Sequence, residues 1–319
     1  AQAALPEIPF LSPKQLSRLS RASRLAIPAA GEALRMAGLL DPSGRSLLPR
    51  LEMSVSTTAC GMDQGEHFLH ALWKGESRGN AARTARYQAQ QQMAEIQDAY
   101  GFTGPVMIVA NACASGGNAI GHAADLIRSG MAEIVLAGGY DALCELVYAG
   151  FDSLQTLAPD ACRPFDRGRS GLMLGEGAAF LVLESEAHAV RRGASSRGVV
   201  AGYGQTTDTH HLTQPAQDGT PLETAMNKAL SSAGMKPSDI GYVNAHGTGT
   251  PFNDGAEAKA FRRLFGDAPV RLSSTKAALG HTLGAAGVIE GVLALLALES
   301  GALPPQINLC DPEPDVAPF

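Results

Sequence analysis

At 319 residues the chain has room for two domains or for one large duplicated one. Its 45% apolar content supports a substantial core, and 18% charged residues are too few for a disordered chain. A net charge of −6, with no basic run and no interleaving of basic and aromatic residues, argues against a nucleic-acid surface. In chain order, a helical pattern runs from residue 13 to 36, with an interruption expected at Pro28 and an end at Gly38. Residues 53–55 read as a strand, and the polar stretch up to Tyr100 as helical. Residues 105–110 are short, apolar and β-branched, which predicts a buried strand. After them, Ser115-Gly116-Gly117 opens a segment with Ile120, Ala123, Ala124 and Ile127 at helical spacing, closed by Ser129-Gly130. Cys113 therefore falls on a tight strand-to-helix turn. Amides at a helix start carry partial positive charge, so this position predicts a thiol with a lowered pKa.

Residues 132–139 and 177–183 predict two further buried strands, joined by loops rich in Asp, Pro and Gly. A charged helix and the linker 191–197 follow. A new unit then opens with a strand at 198–203, a helix at 221–233 and a strand at 240–244. The two units echo each other: residues 106–130 and 270–301 both run strand, polar turn, Gly/Ala-rich stretch, helix, Ser-Gly. Strands alternating with helices predict parallel sheets covered on both faces. The expectation is a duplicated α/β architecture with a site where its halves meet, divided as 1–197 and 198–319.

Five scattered cysteines (60, 113, 144, 162 and 310) form an odd set without a CxxC pair, which fits free thiols in a reducing compartment. The most apolar window, 287–298, contains Glu290 and is shorter than a bilayer span. No signal-peptide pattern is present, so a cytoplasmic protein without a membrane span is expected.

Three stretches hold polar residues that a packed core would not choose. One is the cysteine turn. Another is "NAHGTGTPFNDGAE" (244–257), where His246 follows a strand and Thr248 and Thr250 lie in a glycine-rich run. The third is "SSTKAALGHTLGAAG" (273–287), with Lys276 and His281 again just after a strand. Each alone has an ordinary structural explanation. Together all three sit at carboxyl ends of predicted strands, where open α/β sheets place ligand sites.

These residues carry a family resemblance. "ACASG", "RPFDRGRSGLMLGEGAA" (163–179), "HGTGTPFNDGAE" and "STKAALGHTLGAAG" resemble the β-ketoacyl-[acyl-carrier-protein] synthases, thiolase-like condensing enzymes of the Cys-His-His type, over residues 16–319. The spacing from His246 to Glu257, Lys276 and His281 (11, 30 and 35 residues) is similar to that family's C-terminal half. The resemblance implies thiolase-like α/β/α/β/α layers, two pseudo-symmetric halves with mixed sheets. It also implies a decarboxylative Claisen condensation with malonyl thioester, through an acyl group on Cys113. His246 and His281 would face the developing oxyanion, while Lys276, with Glu257 near it, would hold the histidines. Thr248 and Thr250 would bond a pantetheine arm. No metal or free cofactor is implied, because substrates ride on the phosphopantetheine of an acyl carrier protein. A homodimer, or a heterodimer with a chain-length-factor-like subunit, is the expected assembly, with strand 134–138 as its seam. Residues 138–157 are similar to synthases of aryl polyene clusters, within the wider choice of fatty acid or polyketide elongation. The family's Gly-Phe-Gly-Gly type loop and its first strand have no counterpart here, so the chain reads as trimmed at both ends.

The alternative is a catalytically silent chain-length-factor-like partner or scaffold, but such partners lack the cysteine. A degradative thiolase would want a second glycine-flanked cysteine near the C-terminus, and Cys310 has none. A cysteine hydrolase would leave Lys276 and one histidine unexplained. His210-His211 reads as a solvated loop pair, Glu176 as half of a buried structural pair, and Cys60, Cys144, Cys162 and Cys310 as inert. Residues 62–73 predict a helix with an apolar face, lining an acyl channel or a dimer contact.

Overall fold

A computed structural model describes residues 2–76, 82–266 and 268–317. The chain opens with helices α1 (Pro13–Leu16) and α2 (Arg21–Met36), then strand β1 (Glu52–Ser56). Helices α3 (Met62–Trp73), α4 (Ala82–Ala85) and α5 (Ala89–Tyr100) follow; residues 77–81 of the expected helical stretch lie outside the described ones. Next come β2 (Val106–Val109), α6 (Ser115–Arg128), β3 (Ile134–Asp141), α7 (Glu145–Ser153), β4 (Gly177–Glu184) and α8 (Glu186–Arg191). The second half holds α9 (Thr220–Ala233), β5 (Tyr242–Asn244), α10 (Pro251–Phe265), β6 (Arg271–Ser273), α11 (Lys276–Leu279) and α12 (Ala286–Ser300).

Four strands form one sheet in the order β2-β1-β3-β4, parallel except for the antiparallel β4, and β5 pairs parallel with β6. Strand β1 shows how the sheet is covered on both faces. Its Met53 and Val55 enter a core shared with Leu25, Ile27 and Leu34 of α2 and Met93 and Ile96 of α5. Its alternate residues are small and polar: Ser54 donates to the Ala119 carbonyl of α6, and Ser56 to those of Gly138 and Gly284. Helices α6 and α12 pack together, α6 against β1 and β3 and α12 against β4. In the second half Phe261 and Phe265 of α10 and Met226 of α9 cover Val243 and Leu272 of the β5–β6 pair.

The expected internal echo has a structural counterpart. A 3₁₀ turn precedes α6 at Ala112–Ala114 and another precedes α12 at Leu283–Ala285. Each opens on a non-glycine residue in the left-handed region, Ala112 at φ 57° and Leu283 at φ 54°. The helices then cross through glycine: a Cβ on Gly116 would lie 2.7 Å from the Val288 nitrogen, and one on Gly287 2.6 Å from that of Gly117.

Three expectations are corrected. Pro28 does not interrupt α2. An interior proline costs about 3 kcal/mol, but the helix buries Leu25, Ile27, Ala30 and Leu34 on one stripe, and the break falls earlier, between α1 and α2. Residues 198–203 form no strand: Gly202 and Gly204 press on α9, so closely that a Cβ on either would sit 2.2 Å from a helix carbonyl. Strand β3 is not a seam, because it is paired on both edges by β1 and β4. Among the described residues the open edges of the four-stranded sheet belong to β2 and β4.

Segment Leu283–Ser300 is long and apolar enough to cross a membrane by composition. In the fold it packs on α6 and β4, and its Glu290 pairs with Lys276.

Candidate active site

Each sequence-predicted stretch ends at one point between the halves. Cys113 occupies the first 3₁₀ turn, at the carboxyl end of β2. Ser115 closes that turn, donating to the Ala112 carbonyl at 2.6 Å while accepting from the Asn111 amide at 2.8 Å. The strained Ala112 backbone lifts the next side chain clear of the sheet, towards the second half.

His281 meets it there. Its amide donates to Met173 O at 2.6 Å and its carbonyl accepts from Gly175 N at 3.0 Å, so the 173–175 loop clips the backbone in place. The ring nitrogen Nδ1 accepts from the Leu283 amide at 3.2 Å. An Nδ1 that accepts leaves the proton on Nε2, which lies 2.9 Å from Cys113 Sγ and so donates towards it. His246 follows β5, and its ring stands edge-on to His281 with centroids 5.3 Å apart. The sulfur and one nitrogen from each ring all lie within 4.8 Å of one another. By donor type the three could also ligate a thiophilic divalent ion.

Beneath the imidazoles, buried Lys276 forms an ion pair with Glu290 of α12. Glu257 feels the Lys276 charge and holds backbone, accepting from the His246 and Gly247 amides at 2.7 and 2.8 Å. One turn earlier, buried Asp254 accepts from the amides of Thr248, Gly249 and Phe165. The hydroxyls of Thr248 and Thr250 lie 2.8 Å apart and bond each other.

Burial sets the electrostatics. It pushes His281 down to about 3 and His246 well below its ordinary value, with the Lys276 charge adding to both. Both rings are therefore neutral N–H donors at neutral pH. Glu257 is pushed up to about 7 by burial, against the pull of the Gly247 amide. Cys113 departs from expectation: burial raises its pKa and Lys276 only partly offsets the rise. Desolvation outweighs the helix start here. The arrangement is a thiol in contact with an N–H donor, with a second imidazole beside it. It suits a reaction that makes a covalent thioester and then needs neutral donors for a developing oxyanion.

Other assignments follow from exposure and partners. His210 and His211 are exposed in a loop, and Glu176 is the buried partner of Arg21. All five cysteines are free thiols. Helix α3 lines an apolar cavity of about 550 Å³ with Phe68, Leu69 and Trp73, facing Leu146 and Ala149 of α7. Sequence reasoning missed Glu290, Asp254 and Asp141. The first had a signal, as the one charge in the apolar window 287–298; the second had one in its i,i+3 spacing to Glu257.

The family model for the β-ketoacyl synthase N-terminal domain matches residues 2–189, and that for the C-terminal domain residues 197–310. Nodulation protein E of Rhizobium meliloti (strain 1021) is 40% identical over 306 residues, covering 95% of this chain and 75% of that protein. Among solved structures, the ishigamide ketosynthase/chain length factor superposes with a TM-score of 0.86 at 34% identity, over 96% of this chain and 77% of that one. The AntDE:AntF complex, a type II polyketide synthase acyl-carrier protein with its ketosynthase bound to the hexaketide, gives 0.84 at 30% identity, over 92% and 76% of the two chains.

Proposed function

The chain belongs to the β-ketoacyl synthase family, and from that premise we propose that Cys113 carries the acyl group while His246 and His281 make the carbanion that extends it. One observation carries the assignment of roles: the Cys113 sulfur meets the N–H of a neutral His281 at 2.9 Å, with a second neutral imidazole alongside. The Cys113 sulfur attacks the thioester carbonyl of an acyl group on the phosphopantetheine of an acyl carrier protein. A new sulfur–acyl bond forms, the pantetheine sulfur leaves, and the cysteine proton goes to it. Malonyl carrier protein then loses CO₂. The electron pair of the broken C–C bond moves onto the thioester oxygen, and the two imidazole N–H groups donate hydrogen bonds to the resulting oxyanion. The resulting carbanion attacks the Cys113 thioester, forming the new C–C bond and releasing the cysteine sulfur as it regains a proton. Neutral donors suit this step because no proton need leave them.

Burial keeps both imidazoles neutral, and the charge of Lys276, paired with Glu290, adds to that effect. Glu257 fixes the backbone that carries His246. The paired hydroxyls of Thr248 and Thr250 are the groups offered to the pantetheine arm. Residues 1–197 then form the half that supplies the thiol and 198–319 the half that supplies the imidazoles. Similarity to nodulation protein E and to ketosynthases of type II polyketide and chain-length-factor systems supports an elongation system with a discrete carrier protein, for fatty acid, polyketide or aryl polyene chains. A cytoplasmic dimer, with itself or with a chain-length-factor-like subunit, completes the reading. We assign its seam to the open edge of β2 rather than to β3.

Intact-protein mass spectrometry after mixing with acyl-loaded carrier protein tests the assignment. The expected result is a mass gain equal to the acyl group, absent in Cys113→Ala. No adduct on the folded protein from any acyl group would sink it.

A further inference from the structure

Asp141 ends β3 with no exposed surface, and burial pushes its carboxyl pKa up. Four donors hold its carboxylate. One oxygen accepts from the Thr57 hydroxyl at 2.8 Å and the Ala59 amide at 2.7 Å. The other accepts from the Gly284 amide at 2.7 Å, and the Thr58 amide reaches both. A carboxylate buried at such cost is retained where its hydrogen bonds fix something.

What it fixes is the second 3₁₀ turn. Ser56 grips the same residue from the other end, donating to the Gly284 carbonyl at 2.8 Å. The site is too tight for a side chain, since a Cβ on Gly284 would meet Thr57 and Thr58 backbone at 2.8 Å. The residue just before, Leu283, stands at φ 54°, an unfavourable backbone state that its surroundings must impose. Its amide is the one that donates to His281 Nδ1.

We propose that Asp141 is a positioning residue for His281, anchoring the Gly284 amide so that the Leu283 N–H stays on Nδ1 and the imidazole keeps its proton on Nε2, facing Cys113. Without the anchor the turn relaxes, the Leu283 amide swings away, and the ring can take the Nδ1–H form. Nε2 is then an acceptor and repels the oxyanion it would otherwise bind. The inference rests on the proposed role of His281 in decarboxylation. It adds that a residue of the first half decides the tautomer of a residue in the second.

The test uses the full chain with ¹⁵N-labelled histidine, as wild type, Asp141→Asn and Asp141→Glu. Long-range ¹H–¹⁵N spectra read the protonation of each ring nitrogen, with His281 identified by the signal lost in His281→Gln. The wild type is expected to show bare Nδ1 and protonated Nε2. Asp141→Asn should populate the other tautomer and slow malonyl-carrier decarboxylation by about 10-fold or more, short of the roughly 10²–10³ for outright loss of a donor. Acylation of Cys113, read by mass in the same sample, should fall much less, and Asp141→Glu should restore part of the Nε2–H population. An unchanged His281 tautomer in folded Asp141→Asn overturns the proposal, whatever the rates do. Should that variant not fold, Asp141→Ser, which removes the carboxylate from the Gly284 amide, decides by the same spectrum: a shifted tautomer supports the anchor and an unshifted one overturns it. A wild type that never decarboxylates malonyl carrier protein would sink the proposed function while leaving the tautomer reading to stand or fall separately.

Discussion

Cys113 is held as a thiol by burial and still sits 2.9 Å from a hydrogen-bond donor. That pairing has a consequence in solution. Because its pKa lies above the usual thiol range, the thiolate fraction grows with pH through and beyond pH 8.5. Iodoacetamide should therefore alkylate Cys113 ever faster as pH rises through that range, without the early plateau of a thiol activated at neutral pH. A plateau below pH 7, followed by mass spectrometry of the Cys113 peptide, would contradict the burial argument. The histidines make a complementary prediction. His246→Ala and His281→Ala should each lower decarboxylation by about 10²–10³, the cost of one oxyanion donor. Acyl loading of Cys113 should survive better, and separate assays of loading and CO₂ release distinguish the two. The residues of this centre were legible in the sequence, since Cys113, His246, Lys276 and His281 each stand in a motif after a strand. Their protonation was not legible, because it depends on how much water each loses.

Two helices crossing through glycine set the geometry that brings the motifs together. Val288 of α12 lies so near Gly116 of α6 that a methyl group would meet backbone nitrogen at 2.7 Å. Gly116→Ala should then force the helices apart and cost about 1–3 kcal/mol, the range for overpacking. Thermal melting reads the loss, and acyl loading should fall with it, because α6 begins two residues after Cys113. An unchanged melting temperature would show that the crossing can yield. At this scale the sequence misled twice. Pro28 reads as a break, yet the apolar stripe of α2 carries the helix through it. Residues 198–203 read as a strand, yet their glycines lay them against α9. Local propensity fails in both places because the deciding partner is distant in the chain.

The whole molecule is two halves that each lack part of a site. The first contributes the thiol and Asp141, the second the imidazoles, Lys276 and the carboxylates that brace them. Beyond the chain, β2 is the edge that a partner would extend. The Met53 and Thr57 amides donate to the Pro105 and Val109 carbonyls, and in a parallel ladder this leaves the Val106 and Ile108 N–H groups on the outer side. Ile108→Pro removes one outward donor without touching the β1 ladder. It should leave a folded chain whose mass by light scattering is that of the monomer. A variant that stays dimeric would move the seam elsewhere.

By itself the sequence determined the architecture and which polar side chains the fold would gather. Alternating strands and helices, a repeated strand–turn–helix unit, and Cys, His and Lys just after strands are local patterns, and hydrophobic periodicity and turn chemistry are local physics. Only the tertiary structure decided the rest. It put Glu290, not Glu257, on Lys276, and made β3 internal and β2 the edge. It raised the Cys113 pKa where a helix start alone would lower it. It placed Asp141 under a turn 143 residues away in the chain. Partner choice, strand order and desolvation depend on groups far apart in the chain, and no local pattern carries them.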